Sequence, residues 1–308
     1  MKNINTSKIL LKCLPKRIKN TVSDKTYLKL RYKACIGKKL NLDNPQTFNE
    51  KLQWLKIHDR NPIYTTMVDK YAAKKYVSDI IGEKYIIPTL GVWDKFDDID
   101  FDSLPNQFVL KCTHDSGGLV ICRDKSKLDK KSAKKKIEKS LKRDYYLSSR
   151  EWPYKNVPRR IIAEKFMTSI NNTCETVSCG LTDYKFYCFS GEPKFLYVSQ
   201  GLENHATASI SFLNLNWSFA PYKRSDFKPF DELPQKPQGF DEMIEISKKL
   251  SQGHDFLRVD LYQIGNQVYF SELTFSPCAG FMPFLDSAHD LEIGNMLTLS
   301  SKGDTKNE

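Results

Sequence analysis

Two apolar runs that flank Gly265 and Asn266 constrain the fold of this chain more than any other feature. The first run is Phe256–Tyr262 and the second is Val268–Pro277, and both are rich in β-branched and aromatic residues. Runs of this composition on either side of a glycine-containing turn predict a β-hairpin. Because side chains alternate between the two faces of a strand, each run also places its charged residues on one face.

The register of this hairpin decides what those charges can do. A three-residue loop, 265–267, sets Asp260 opposite Glu272 and Arg258 opposite Thr274. Facing carboxylates repel each other unless a cation lies between them, and Mg²⁺ in phosphate-transfer sites is held by one or two carboxylates plus the substrate's phosphates. The hairpin therefore predicts a magnesium–nucleotide platform. The alternative is an outward-facing polar strand face, which shows the same alternation.

Composition places the chain among globular proteins. It has 308 residues, of which 40% are hydrophobic and 12% aromatic. No apolar run approaches the roughly 18 residues of a membrane-spanning helix, and the run Ile9–Leu14 is too short for a signal peptide. The eight cysteines form no CxxC pair and no zinc-type spacing. We therefore expect reduced cysteines, several of them buried, in a cytoplasmic protein.

The net charge of +11 suits nucleic acid, an anionic membrane surface or acidic and phosphorylated substrates. Much of it lies in Lys125–Arg143, where Ala133, Ile137 and Leu141 recur every four residues. That spacing predicts a helix with one buried stripe and a solvated basic face. Because no aromatic residue interleaves with the lysines, we predict no nucleic-acid partner.

The rest of the chain reads as alternating helices and strands. The basic region 1–60 includes an amphipathic helix at Phe48–Ile57, which suits either an anionic membrane surface or packing on the rest of the protein. We expect further helices at Val68–Ile80 and around Met243–Leu250. Residues 144–158 and 200–238 are expected to be loops. Strands are expected at Gln107–Cys112, Val120–Cys122, Arg160–Met167, Leu181–Phe189 and Pro193–Val198.

A second group of charges lies in the middle of the chain. Lys111 ends a strand directly before the turn Thr113–Gly118, where glycines let backbone N–H groups approach a phosphate and a lysine adds positive charge. A plain β-turn explains this motif equally well. His114 and Asp115 are interpreted as part of the loop rather than as a catalytic pair. Charged residues also occur on otherwise apolar strands, at Glu164, Lys165, Asp183 and Lys185.

These motifs together resemble the ATP-grasp superfamily and, within it, the TupA-like family found among surface-polysaccharide biosynthesis proteins. The resemblance covers most of the chain and rests on five segments. They are Asn44–Leu55, Val68–Tyr71, Phe108–Gly118, Asp183–Gly191 and Phe256–Tyr262. The C-terminal stretch also resembles that of D-alanine–D-alanine ligases, with Arg-x-Asp, then Glu, then Ser-Pro.

The resemblance implies an α+β, ATP-grasp fold in which two α+β lobes sandwich the nucleotide behind a helical basic N-terminal region. The implied division is 1–60 for that region and 61–308 for the ATP-grasp domain, with a central lid lobe at about 106–168 and a C-terminal metal and substrate lobe at 169–308.

It also implies roles for individual residues. Lys70 and Lys111 would contact the ATP phosphates, and Ser116 and Gly117 would lie in the loop that covers them. The adenine pocket and ribose would be bound by Glu164, Lys165, Met167 and Asp183, with Lys185 beside them. Asp260 and Glu272 would hold Mg²⁺, Arg258 and Lys111 would act in catalysis, and Ser276 and Pro277 would border the acceptor site.

One position departs from the ligase pattern. Thr274 stands where the ligases carry an asparagine as third metal-binding residue, and its hydroxyl is a poorer Mg²⁺ ligand, so a second metal is in doubt.

The implied activity is an ATP-dependent carboxylate–amine ligase acting through an acyl phosphate in surface-polysaccharide biosynthesis. Its partners would be ATP, a carboxylate and an amine, derived from amino acids or sugars. Two alternatives stay open. One is a glycosyl- or phosphotransferase on the same scaffold, and the other is a non-catalytic scaffold that touches the inner membrane surface through its basic regions.

Overall fold

The computed structural model describes residues 20–167, 181–201 and 208–300, and these form two antiparallel sheets with helices packed on them. In chain order the helices are α1 (Asp24–Ile36), α2 (Phe48–His58), α3 (Ile63–Val68), α4 (Ala72–Ile81), α5 (Lys130–Leu141), α6 (Tyr146–Ser149), α7 (Phe240–Ser251) and α8 (Ala288–Met296). The strands are β1 (Thr89–Trp93), β2 (Phe108–Cys112), β3 (Leu119–Cys122), β4 (Ile161–Lys165), β5 (Asp183–Phe189), β6 (Glu192–Gln200), β7 (Ser209–Asn214), β8 (Phe256–Ile264) and β9 (Gln267–Thr274).

The first sheet has the strand order β1-β4-β2-β3, and every neighbouring pair is antiparallel. Helix α5 covers one face because Ala133 and Ile137 are buried against Leu110 and Cys112. The predicted basic helix is therefore confirmed, although it begins at Lys130. The preceding residues Lys125–Lys127 form a short 3₁₀ turn instead.

The second sheet has the order β7-β6-β5-β8-β9 and is buried on both faces. Alternation along β5 sends Phe186 toward α7, while Tyr187 and Phe189 pack beneath Phe48 of α2. The hairpin predicted for β5 and β6 is confirmed, with a turn at Ser190 and Gly191. A strand buried on both sides explains why this segment is almost continuously apolar.

The hairpin of β8 and β9 has the predicted pairing, Arg258 with Thr274 and Asp260 with Glu272. The loop prediction was wrong, because Ile264 pairs with Gln267 and the turn therefore has only two residues. The register shifts between Asp260 and Leu261, and this irregularity restores the alignment that a longer loop would have given.

The helix predicted at Val68–Ile80 is α4, which begins only at Ala72, and Val68 is the last residue of a separate helix, α3. The chain breaks at Asp69, whose carboxylate accepts the backbone N–H of Tyr71 (2.9 Å) and pairs with Arg160 (2.7 Å). An aspartate that bonds nearby backbone competes with the helix and favours a new start. The break leaves Lys70 outside both helices.

Two segments predicted as loops contain regular structure. Region 144–158 includes α6 and the buried Arg150 and Glu151, and region 200–238 includes β7, which pairs with β6. Residues 202–207 lie outside the described part of the chain. These elements are short, so the sequence pattern carries little signal, and tertiary contacts decide their structure.

The amphipathic helix predicted at Phe48–Ile57 is α2, and it begins with a capping box between Thr47 and Glu50. Its apolar face packs on the second sheet and on α8, which favours the packing interpretation for this part of the N-terminal region. Residues 1–19 lie outside the described part. Within the part that the structure describes, the cysteines are unpaired, three of them are buried, and no helix has the length and apolar character needed to span a bilayer.

Candidate functional site

A cavity of about 580 Å³ lies between the two sheets. Strands β2, β3 and β4 line it from one side, and β5, β8 and β9 from the other. Every residue predicted to contact the nucleotide borders this cavity: Lys70, Lys111, Ser116, Gly117, Glu164, Lys165, Met167, Asp183 and Lys185. Among the predicted metal ligands, Glu272 also borders it.

Glu164 joins two lysines on the wall formed by the first sheet. Its carboxylate lies 2.5 Å from the Nζ of Lys111 and 2.6 Å from the Nζ of Lys74. Burial disfavours the ionised form of Glu164, but the two lysines outweigh burial and lower the pKa of its carboxyl group. Lys74 was missed in the sequence, although the helix predicted at Val68–Ile80 would have placed it one turn after Lys70 on the same face.

Lys70 is fixed at the cavity by the loop that follows β2. Its backbone N–H donates to the carbonyl of Thr113 (3.1 Å), and its ammonium group donates to the carbonyl of Asp115. In the same loop His114 contacts the carbonyl of Arg143 (3.2 Å), and the Asp115 carboxylate accepts a hydrogen bond from Ser140. His114 and Asp115 therefore brace the loop against the end of α5 and do not bond to each other.

The wall formed by the second sheet carries a chain of alternating charges. Lys185 lies opposite Asp260 across β5 and β8, and its Nζ is 2.8 Å from Asp260 and 3.1 Å from Asp183. Burial disfavours the charged form of Lys185, but these two carboxylates outweigh burial and raise the pKa of Lys185 well above its ordinary value. The Lys185 ammonium group therefore stays charged.

Arg258 occupies the position between the facing carboxylates. Its Nε and Nη2 donate to Asp260 at 2.6 Å, and Nη2 also donates to Glu272 (3.1 Å) and Thr274 (2.9 Å). The cation that the register requires is thus supplied by the protein itself. Arg258, Asp260 and Thr274 do not border the cavity.

Among the carboxylates predicted to bind magnesium, that of Glu272 is the better placed to do so. Its side chain is 42% exposed, whereas that of Asp260 is fully buried. Burial opposes ionisation of Glu272, but Arg258, Lys185 and Lys70 outweigh it and lower its pKa to about 2. Glu272 is therefore an ionised oxygen ligand at neutral pH. In the described residues no cluster of three or more His, Cys, Asp or Glu side chains could hold a metal, so phosphates would have to complete the shell.

The remaining walls are apolar and were not anticipated in the sequence. Side chains from both sheets and from residues next to their strands provide a hydrophobic compartment that can hold a planar ring. The only signal was a pair of isoleucines directly before Pro88. The apolar residues that line these walls are Ile86, Ile87, Val109, Ile121, Phe166, Phe270 and Leu273.

Comparison with known proteins identifies the fold and the family of this chain. The fold is the ATP-grasp fold, because a family model described as TupA-like ATPgrasp matches residues 50–298. The chain belongs to the TupA-like ATP-grasp family and so to the ATP-grasp superfamily. A search of curated proteins finds no match.

Several solved structures are similar to the chain. D-alanine–D-alanine ligase from Bacillus anthracis has 15% identity and a TM-score of 0.38, over 68% of this chain and 57% of that chain. The corresponding ligase from Helicobacter pylori has 16% identity and a TM-score of 0.37, over 82% and 69%. The ATP-grasp ligase PsnB, complexed with a phosphomimetic variant of its minimal precursor, Mg and ADP, has 11% identity and a TM-score of 0.39, over 82% and 62%. The chain thus spans little more than half of the first ligase, and the fold assignment rests on the family match.

Proposed function

We propose that the protein is an ATP-dependent carboxylate–amine ligase. The observation that carries this proposal is the cavity between the sheets, which combines an apolar compartment with Lys70, Lys111 and Glu272 on its walls. A nucleotide needs both parts, since its base is planar and largely apolar while its phosphates need positive charge. The proposed site residues remain those inferred from the sequence.

Lys70 and Lys111 would neutralise the phosphates of ATP. Both lysines are held in place before any ligand arrives, Lys70 by the loop carbonyl of Asp115 and Lys111 by Glu164. Preorganised cations stabilise developing charge without reorganisation during the reaction. The loop residues Ser116 and Gly117, where Gly117 has a positive φ of 117°, would bring backbone N–H groups over the phosphates.

The apolar compartment would hold the adenine ring, beside Glu164, Lys165 and Met167. Asp183 would accept hydrogen bonds from the ribose hydroxyls, and Lys185 would orient the Asp183 carboxylate through their ion pair at 3.1 Å. Glu272 would hold Mg²⁺ at the phosphates. Asp260 could join it only if Arg258 or Lys185 turns away, because both now bind its oxygens. Bound Mg²⁺ would supply charge neutralisation between the phosphate oxygens.

The reaction itself needs no protein nucleophile. A carboxylate oxygen of the first substrate attacks the γ-phosphorus of ATP, so ADP leaves and an acyl phosphate forms. The amine of the second substrate then attacks the carbonyl carbon, inorganic phosphate leaves, and a proton from the amine is released. Arg258 contacts Glu272, which borders the cavity, so its charge would help to stabilise the negative charge that develops in both steps. We place this ligation in surface-polysaccharide biosynthesis, which the resemblance to the family implies.

The proposal is tested by calorimetric titration of ATP with and without Mg²⁺, on the wild type and on Glu272→Ala. We expect wild-type binding that depends on Mg²⁺ and a loss of that dependence in Glu272→Ala. Glu192→Ala is the matched control, because Glu192 is a half-exposed carboxylate that pairs with Lys248 far from the cavity.

Absence of ATP binding by the wild type would overturn the ligase proposal, and binding of a sugar nucleotide instead would favour the glycosyltransferase alternative. Where ATP binds, candidate carboxylates and amines are screened for release of ADP and phosphate together with an amide. A product without an amide bond would also contradict the ligase proposal.

A further inference from the structure

Lys70 lies between two chain neighbours that are both held by Arg160. The Nη2 of Arg160 donates to the carboxylate of Asp69 at 2.7 Å, and its guanidinium group lies over the ring of Tyr71, 5.0 Å from the centroid. The second oxygen of Asp69 accepts the backbone N–H of Tyr71 at 2.9 Å. Arg160 therefore fixes the chain on both sides of Lys70, at the point where α3 has ended and α4 has not yet begun.

Thr113 joins the same segments a second time. Its carbonyl accepts the backbone N–H of Lys70 (3.1 Å), and its own N–H donates to the carbonyl of Arg160 (2.9 Å). Its hydroxyl accepts the N–H of Arg160 (3.2 Å) and donates to the carbonyl of Pro158 (2.7 Å). Thr113 is buried and directly follows β2, and Arg160 directly precedes β4. These bonds therefore anchor the backbone of Lys70 to the first sheet.

The anchoring residues lie outside the cavity, whereas Lys70 borders it. Asp69, Thr113 and Arg160 do not line its walls, so they are not placed to contact a ligand there. The Asp69 side chain is 3% exposed and that of Arg160 is 25% exposed. Taking such charges out of water costs free energy that the pair regains only in part, so a buried pair is a weak source of stability. The position that the pair gives to Lys70 explains it better.

The side chain of Lys70 depends on this fixed backbone. A lysine side chain is long and flexible, and holding it in one place costs rotamer entropy. Its ammonium group donates to the carbonyl of Asp115, in the loop that carries Ser116 and Gly117 at the cavity. Because that bond is made at the far end of the side chain, a displaced backbone would carry the ammonium group away from the loop.

We propose that Arg160 is a positioning residue, which acts through Asp69, Tyr71 and Thr113 to hold Lys70 where the phosphates of ATP would bind. The inference rests on the proposed function, because the role of Lys70 at the phosphates belongs to that proposal. Arg160 does not touch the nucleotide itself. Loss of Arg160 should therefore weaken the binding of ligands that carry phosphates and leave the binding of adenosine unchanged.

Calorimetric titration of Arg160→Gln with Mg²⁺–ATP and with adenosine tests this role. We expect the affinity for ATP to fall about ten-fold, the effect of losing one charge-assisted contact, and the affinity for adenosine to stay the same. Arg159→Gln is the matched control, because it removes the same charge one residue earlier, where the exposed Arg159 pairs with Asp144 at 3.4 Å. Equal losses of ATP affinity in the two variants would mean that only net charge matters, and would overturn the proposal.

A double-mutant cycle with Lys70→Met shows whether Arg160 acts through Lys70. Once Lys70 is replaced, Arg160→Gln should have no further effect on ATP affinity, whereas independent effects would add. An undiminished loss in the Lys70→Met background, or an equal loss of adenosine affinity, would contradict a positioning role.

Asp69→Asn provides a second variant in case Arg160→Gln does not fold. It keeps an oxygen for the N–H of Tyr71 but removes the charge that holds Arg160, so it should reproduce the loss of ATP affinity. An ATP affinity equal to that of the wild type would count against the proposal.

Amide hydrogen exchange without nucleotide separates this inference from the proposed function. The N–H of Lys70 is bonded to Thr113, so its exchange rate reports on the anchoring directly. We expect Arg160→Gln to accelerate this exchange about ten-fold and Arg159→Gln to leave it unchanged. If the wild type binds no ATP, the ligase proposal fails, and the exchange rate alone decides whether Arg160 holds Lys70. Unchanged exchange at Lys70 in Arg160→Gln would overturn the inference whatever the result with ATP.

Discussion

At the scale of single residues, Glu164 determines how positive charge is arranged at the cavity. Its two oxygens hold Lys111 and Lys74 at 2.5 and 2.6 Å, and all three side chains are largely buried. Without this carboxylate the two ammonium groups would repel each other in a poorly solvated place, and breaking a buried pair by removing one partner is strongly destabilising.

We predict that Glu164→Gln lowers the free energy of unfolding by about 3 kcal/mol, less than for a fully dry pair because Lys111 is partly exposed. Urea unfolding at pH 7 measures this. The effect should also depend on pH. Because the folded-state pKa of Glu164 is lowered, its ionisation contributes full stability above the ordinary value of 4.5, and this contribution is lost as the pH falls through the folded pKa.

Glu192→Gln is the control for this prediction. Glu192 pairs with Lys248 at 2.9 Å on the surface, where both side chains are nearly half exposed, so the change should be within about 0.5 kcal/mol. If Glu164→Gln and Glu192→Gln destabilise the protein equally, Glu164 does not hold the lysines as we describe.

The positions and contacts of Asp260 and Glu272 show what could be predicted from the sequence for single residues. Their juxtaposition was predicted correctly although the loop length was not, because the register shift between Asp260 and Leu261 compensates for the shorter turn. The capture of both carboxylates by Arg258 could not be predicted, since it depends on the side-chain rotamer of a residue two positions away.

At the scale of elements, α2 acts through a ladder of buried polar side chains, and Lys56 is its most unusual member. It donates to the carbonyls of Ser149 and Ala279 and to Gln53, so it joins three separate segments. Burial lowers the pKa of Lys56 to about 7, although Glu151 opposes the shift.

The pKa of Lys56 makes stability depend on pH. In the unfolded chain this lysine keeps its proton up to about pH 10.5, whereas in the folded protein it loses it near pH 7. The unfolded state therefore binds more protons between these values, and the free energy of unfolding rises with pH. We predict that the difference between the wild type and Lys56→Met grows in favour of the wild type from pH 7 to 9, by at most about 1.4 kcal/mol per unit.

This prediction is measured by urea unfolding at pH 7, 8 and 9, with Lys25→Met as the control. Lys25 is exposed on α1, so the corresponding difference should not change with pH. A pH-independent difference for Lys56→Met would mean that Lys56 keeps its proton in the folded protein throughout this range.

The contact between α8 and α2 is equally specific. A methyl group at Gly294 would meet the carbonyl oxygen of Gln46 at 2.3 Å and the nitrogen of Phe48 at 2.7 Å. Since backbone atoms cannot yield as a flexible side chain can, Gly294→Ala should destabilise the protein by about 3 kcal/mol or more. The neighbouring Asn295 is exposed, so Asn295→Ala should be nearly neutral. Denaturant midpoints give both values, and equal midpoints would contradict the close packing of these helices.

Elements with strong periodicity could be predicted, and those defined by tertiary contacts could not. The apolar stripe of α5 and the alternating hairpins were found because their pattern extends over many residues. The break at Asp69 was missed because a single side chain redirects the backbone there. The short helix α6 was missed because four residues carry almost no periodic signal.

At the scale of the whole molecule, the cavity belongs to neither sheet alone. Lys111 and Glu164 come from the first sheet, whereas Asp183, Lys185 and Glu272 come from the second. The sequence indicated all five, but only a resemblance to a known family suggested that two sheets bring them together. Local pattern does not specify how separate sheets face each other, because that depends on packing over the whole chain.

A ligand that contacts both sheets should stabilise the whole fold. At 100 times its dissociation constant, Mg²⁺–ATP would add about 2.7 kcal/mol to the free energy of unfolding, provided it binds only the folded state. For a chain of this size we expect Tm to rise by about 5 °C. Lys111→Met should lose most of this rise, because it removes a cation that faces the phosphates. Lys194→Met, which removes an exposed lysine on β6, should retain it. Thermal unfolding followed by circular dichroism, with and without nucleotide, measures each shift. A rise in Tm of equal size in Lys111→Met and Lys194→Met would place the nucleotide outside the cavity, because a nucleotide inside the cavity would contact Lys111.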